Sequence, residues 1–107
     1  MRKLAIYRNK DYAGILTEKS REAYVFRYDD GYYADTTKPA VSLTLLKSHQ
    51  EYYAPFLFPF FFNMLSEGVN RKLQSRLLKI DEEDHFGLLS ATAQYDTIGA
   101  ITVKPIE

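Results

Sequence analysis

The eleven residues from Pro55 to Leu65, Pro-Phe-Leu-Phe-Pro-Phe-Phe-Phe-Asn-Met-Leu, leave a chain of this size few ways to fold. The run is about half the ~20 residues that a membrane-spanning helix needs, so protein must cover it. Pro59 is tolerated in a helix's first turn, where its missing amide hydrogen has no intrahelical partner to lose. A helix is therefore predicted to begin near Leu57 or Phe58 and to end before Gly68. Almost every direction around it carries a large apolar side chain, with Asn63 the main exception, whereas a small domain covers only one side of a surface helix. Either other helices of the chain hide the remainder or a partner protein does; an exposed apolar patch above ~400 Å² favours the partner.

The 107 residues make a single domain, 1–107, and 46% hydrophobic content is enough to build a core. Fourteen Lys and Arg balance fourteen Asp and Glu, so no net field draws nucleic acid or anionic lipid, and partners must be recognised by shape. The absence of cysteine excludes disulfides, iron–sulfur clusters, thiolate zinc sites and thiol nucleophiles, and suits a reducing compartment. Arg8, Lys10 and Asp11 interrupt the short apolar stretch at the N-terminus, which therefore lacks a signal peptide's core. A cytoplasmic protein is expected, without a membrane partner.

Lys3 to Arg8 and Tyr12 to Thr17 read as strands around an Asn9-Lys10-Asp11 turn, and Ala23 to Tyr28 as a third strand ended by Asp29-Asp30-Gly31. Val41-Ser42-Leu43-Thr44-Leu45 alternates apolar with hydroxyl residues and predicts a fourth. Leu46 to Ala54 reads as a loop. After the aromatic helix, Val69, Leu73, Leu77 and Ile80 recur at helical spacing beside Lys72, Arg76 and Lys79, which predicts an amphipathic second helix. Asp81-Glu82-Glu83-Asp84 opens a short third, where carboxylates complement the helix dipole. Ile98 to Val103 closes the chain as a strand, with Pro105 beyond it. A β-meander followed by two or three helices and a C-terminal strand predicts an α+β fold with a mainly antiparallel sheet.

Catalytic chemistry finds little to work with. His49 and His85 lie far apart, and neither has a second histidine at the i+3 or i+4 spacing that builds a metal site on one helix face. There is no Gly-x-Ser-x-Gly elbow, and the five glycines are scattered singly, so no phosphate-binding loop is encoded. No catalytic, cofactor or metal residues are expected. Arg71, Lys72, Arg76 and Lys79 make a basic helix face, most simply the solvated side of an amphipathic helix.

Several segments, in order, resemble the N-terminal subdomain 1 of HipA-type serine/threonine kinases, the toxins of bacterial toxin–antitoxin systems. Ile6 to Leu16 resembles that family's first hairpin, and Phe26-Arg27-Tyr28 its third strand. Pro39-Ala40-Val41-Ser42-Leu43-Thr44-Leu45 is similar to a P-L-S-L-S-L run, and Pro59 to Gly68 to P-F-F-x-N-L-L-P-E-G. Phe86-Gly87-Leu88-Leu89 and Gly99-Ala100-Ile101 resemble two later signatures. Leu46 and Ser66 stand where the family usually has proline. The chain ends at Glu107, where a complete toxin would continue toward its kinase core, and these residues hold no glycine-rich phosphate loop or catalytic aspartate motif.

The resemblance implies a free-standing, HipS-like antitoxin of a tripartite system, a non-catalytic module that binds and neutralises or regulates a HipT-like kinase. A HipB-like helix-turn-helix protein would supply the DNA binding, with no direct nucleic-acid contact by this chain. Ser66, Glu67 and Gly68 after the aromatic helix, with Tyr52, Tyr53 and Phe56 as aromatic anchors, are the expected contacts. Three alternatives remain. One is a structural or oligomerisation subunit that binds the kinase without inhibiting it; another is a small enzyme in which His49 or His85 meets carboxylates in a pocket. The third binds nucleic acid through the basic helix face, with steep salt dependence.

Overall fold

The first 28 residues form three antiparallel strands, β1 (Arg2–Arg8), β2 (Asp11–Ser20) and β3 (Ala23–Tyr28). The computed structural model describes residues 1–65, 68–92 and 100–106. Asn9 makes the first turn at φ 56°, a left-handed conformation that asparagine tolerates better than most residues. Gly14 lets β2 lie close to β3: a Cβ there would stand 2.3 Å from the Arg27 carbonyl oxygen.

The remaining elements are α1 (Asp30–Ala34), β4 (Glu51–Ala54), α2 (Pro59–Phe62), α3 (Gly68–Leu78), α4 (His85–Thr92) and β5 (Ile101–Ile106). The sheet order is β4-β3-β2-β1-β5, antiparallel throughout, so the fold is α+β, as the sequence predicts. Pro105 lies inside β5 rather than beyond it. That is permitted because β5 is an edge strand, where a missing amide hydrogen need break no ladder bond. Ile98 and Gly99, the expected start of this strand, lie outside the described residues.

Three expectations need correction. Val41 to Leu45 is not a strand. Its two-residue period arises because Val41 and Leu45 enter the core at either end of a turn, while the Thr44 amide donates to Ser42 Oγ at 3.1 Å and Leu43 points outward. The edge of β3 goes instead to Glu51–Ala54, which was expected to be loop. Tyr52 and Ala54 fill the inner side there, so tertiary pairing outweighs the segment's mixed composition. Asp29-Asp30-Gly31 starts a helix as well as ending a strand: Asp29 Oδ2 accepts from the Tyr32 amide at 3.2 Å, an N-cap.

The helices differ in detail too. α2 is a single turn with Pro59 at its first position, followed by tight turns through Leu65. Leu57, Phe58, Phe61 and Leu65 are buried and Phe60, Phe62 and Met64 partly so, which means the chain covers most of its own aromatic run. α4 starts at His85 rather than Asp81, because Asp84 caps it through the Gly87 amide and Asp81 to Glu83 form a preceding turn.

One layer of core lies between the helices and one sheet face. Phe26 meets Tyr28 edge-on at 4.9 Å between centroids and Phe61 at 5.8 Å, and Leu4, Ile6, Leu16, Phe86, Leu89 and Val103 complete the centre. The Tyr28 hydroxyl accepts from the Val41 amide at 3.0 Å and donates to the Leu45 carbonyl, so one side chain ties both ends of the 41–45 turn to β3. Burial pushes its pKa up to about 12. Among the described residues, no helix is long and apolar enough to cross a membrane.

Two stability predictions follow from this architecture. Tyr28→Phe leaves a buried amide and a buried carbonyl without their partner, and urea unfolding should show a loss of about 1–3 kcal/mol; a change under about 0.5 kcal/mol contradicts the role given to this hydroxyl. Lys79 follows α3 at φ 58°, while the Ile80 amide reaches the Ser75 carbonyl at 3.0 Å, the pattern of a Schellman cap that favours glycine. Lys79→Gly should raise unfolding stability by up to about 1 kcal/mol, and a loss contradicts the strain argument.

Candidate partner-binding surface

The second helix is amphipathic, as its sequence predicts, yet it sits with its apolar side outward. Along α3 the half-buried residues are Arg71, Gln74 and Ser75, whereas Leu73 and Leu77 are 50% and 70% exposed and Leu78 is also exposed. None of residues 70–78 is buried. The polar side faces the domain: Arg71 stacks over the Phe62 ring at 5.0 Å. A helix normally buries its apolar stripe, whereas among the described residues nothing covers Leu73, Leu77 and Leu78 here. Lys72, Arg76 and Lys79 are exposed alongside.

Beside the residues that lead into α4, Asp81, Glu83 and Asp84, lies a cavity of about 420 Å³, with Phe56 and His85 in its wall. Arg2 organises its floor. Its guanidinium donates to both Glu18 oxygens at 2.7 and 2.9 Å and to both Asp84 oxygens at 2.8 and 3.0 Å, and lies 5.1 Å from the Phe86 ring centre. These bonds join β1, β2 and the start of α4. Gly87 permits the close approach, since a Cβ there would stand 2.4 Å from Asp84 Oδ2. The hydrogen bonds from Arg2 hold the Asp84 carboxyl below the ordinary carboxylate range, while burial and the neighbouring Glu18 push the Tyr24 hydroxyl up.

This cavity gathers a histidine and carboxylates, as the enzyme alternative requires, but their bonding is that of a scaffold. Asp84 and Glu18 are committed to Arg2, and the Tyr24 hydroxyl donates to Glu18 at 3.3 Å. Glu83, 3.6 Å from His85 Nε2, is mostly exposed. Among the described residues, no serine, threonine or cysteine lines the cavity to act as a nucleophile. His49 lies elsewhere, edge-on to Tyr52. Among the described residues no three His, Asp or Glu side chains are placed to hold a metal.

The aromatic residues expected as anchors do not share one surface. Phe56 is 59% exposed at the rim of the cavity. Tyr52 leans on the core and donates its hydroxyl to the Leu46 carbonyl at 2.7 Å. Tyr53, one residue on, points to the opposite sheet face, 67% exposed, with its hydroxyl on Glu51 at 2.7 Å. There it heads a cross-strand row with Val25, Thr17, Lys3 and Ile106, none of which belongs to the core cluster. Gly68 opens α3; Ser66 and Glu67 lie outside the described residues. Leu73, Leu77 and Leu78 were absent from the expected contacts, because periodicity reports that a stripe exists and not which way it faces.

The family model for the HipA N-terminal domain matches residues 4–104. A solved structure described as the N-terminal domain of HipA toxin is similar over 100% of this chain and 94% of its own, with a TM-score of 0.73 and 20% sequence identity. No curated protein matches the chain.

The Arg2 network makes a pH-dependent contribution of definite sign. A carboxyl whose folded pKa is lowered stabilises the fold above its unfolded pKa, near 4, and loses that contribution as pH falls through the folded value. Asp84→Asn keeps a capping oxygen but removes the charge. Its unfolding free energy should fall less steeply than the parent's as pH is lowered from about 5 to 2; parallel curves would contradict the assignment.

Proposed function

Because the chain belongs to the HipA N-terminal domain family, we propose that it is a non-catalytic module that binds a HipA- or HipT-like serine/threonine kinase and restrains it, in the manner of a HipS-like antitoxin. The observation that carries this reading is the outward apolar stripe of α3, Leu73 and Leu77 with Leu78 beside them. Phe56, 59% exposed at the cavity beside Asp81 and Asp84, is a separate exposed apolar side chain that a partner could also cover. Lys72 and Arg76 flank the stripe, so its partner should offer an apolar patch with acidic residues at the rim.

Binding of this kind regulates by difference. If the module prefers one conformation of the kinase, it shifts the population toward that state by the ratio of its two affinities, and tight binding without preference shifts nothing. The scaffolding alternative uses the same surface with equal affinity for active and inactive kinase. A HipB-like protein joining the complex is compatible with either version.

The double substitution Leu73→Ser and Leu77→Ser separates binding from folding. Both side chains are exposed, so unfolding stability should change by less than about 1 kcal/mol. Affinity for a HipA-family kinase lacking its own N-terminal subdomain should fall at least about tenfold. Co-expression of the parent chain should restore growth against that kinase, and the double variant should not. Unchanged affinity in the double variant contradicts the surface; retained binding without growth rescue favours scaffolding over restraint.

A further inference from the structure

Arg8, the last residue of β1, stands on the core-facing side of the sheet, two residues beyond Ile6 and opposite Ile101 of β5. It is half-buried, yet among the described residues no carboxylate lies within 4.0 Å of it and no side-chain hydrogen bond engages it. Arg2 and Arg27, by contrast, each hold two carboxylates. Asp11, opposite Arg8 across the β1–β2 pairing, contacts Lys38 Nζ at 3.4 Å instead.

The Arg8 side chain lines a groove of about 390 Å³ whose other walls are largely apolar, among them Pro39, Val41, Phe60 and Ile101. Leu43, 91% exposed, forms its rim. Among the described residues this guanidinium, partly withdrawn from water, has apolar walls and no carboxylate partner, and its planar fork matches a carboxylate. The groove is open to the surface rather than enclosed, which suits an extended polypeptide better than a metabolite. The 41–45 turn that shapes it is held from beneath by the Tyr28 hydroxyl, so the groove is preformed.

We infer that this groove takes an acidic side chain of a partner polypeptide, its carboxylate on Arg8 and an adjoining apolar residue against Leu43, Val41 and Phe60. The site is distinct from α3 and stands whether or not the kinase contact proposed above forms.

The test is an amide NMR titration of the isotope-labelled full chain with acetyl-Leu-Glu-Phe-amide, using acetyl-Leu-Gln-Phe-amide as the neutral counterpart. The glutamate peptide should give saturable shifts confined to the amides around Arg8, 41–45 and Ile101. The glutamine peptide should bind about tenfold more weakly, and Arg8→Gln, shown to be folded by an otherwise unchanged spectrum, should erase that preference. Leu43→Ser should weaken both peptides while keeping the preference. Equal affinity for the two peptides, an undiminished preference in Arg8→Gln, or no saturable shift at these amides would overturn the inference.

Discussion

Much of this fold hangs on the hydroxyl of one buried tyrosine. Tyr28 ends β3 in the centre of the aromatic core, where Phe26 meets its ring edge-on and Tyr32 stacks parallel to it at 5.9 Å. Its hydroxyl closes the 41–45 turn, and its backbone accepts the side chain and pairs with the carbonyl of Gln50, directly ahead of β4. A long connection between α1 and β4 is thereby fixed with little secondary structure of its own. Lys47 assists, bridging the Asp35 and Lys38 carbonyls at 2.6 and 2.8 Å while lying over the Tyr32 ring.

With that connection pinned, the domain has spent its helices on one face of its sheet. Ala5 and Val25 are buried on the other face yet stand outside the core cluster. The aromatic run, which looks at first like the surface awaiting a partner, is mostly consumed by the core. Among the large apolar side chains left exposed elsewhere are the leucines of α3, Phe56, Tyr53, and Leu43 at the rim of the Arg8 groove. These exposed apolar side chains are the surfaces that the proposed partner would cover.

Residues whose neighbours in sequence are also their neighbours in space were legible from the chain alone. The β1–β2–β3 meander, a helix start close to Pro59 and the existence of an amphipathic helix at α3 all rest on local chemistry: turn residues, a proline at a first helical position, a 3.6-residue period. The errors have a common cause. Val41 to Leu45 mimics a strand because two distant contacts pull its ends inward, and Glu51–Ala54 is a strand because β3 offers it an edge. The direction of the α3 stripe is equally non-local, since it depends on contacts outside the helix such as that of Arg71 with Phe62, which no spacing within the helix can report. Phe56 was expected as a contact from its sequence context, whereas Arg8 drew no expectation, because an arginine at a strand end looks ordinary until its surroundings are known.

Hydrogen exchange on the chain alone and in the presence of a HipA-family kinase lacking its own N-terminal subdomain puts the central claim to the most direct test. If outward apolar surface is what this domain offers a partner, amides of α3 and of the segment around Phe56 should exchange more slowly in the mixture, with those of the sheet interior little changed. Unaltered exchange across α3 at kinase concentrations that saturate binding, or the absence of any complex, would contradict the account.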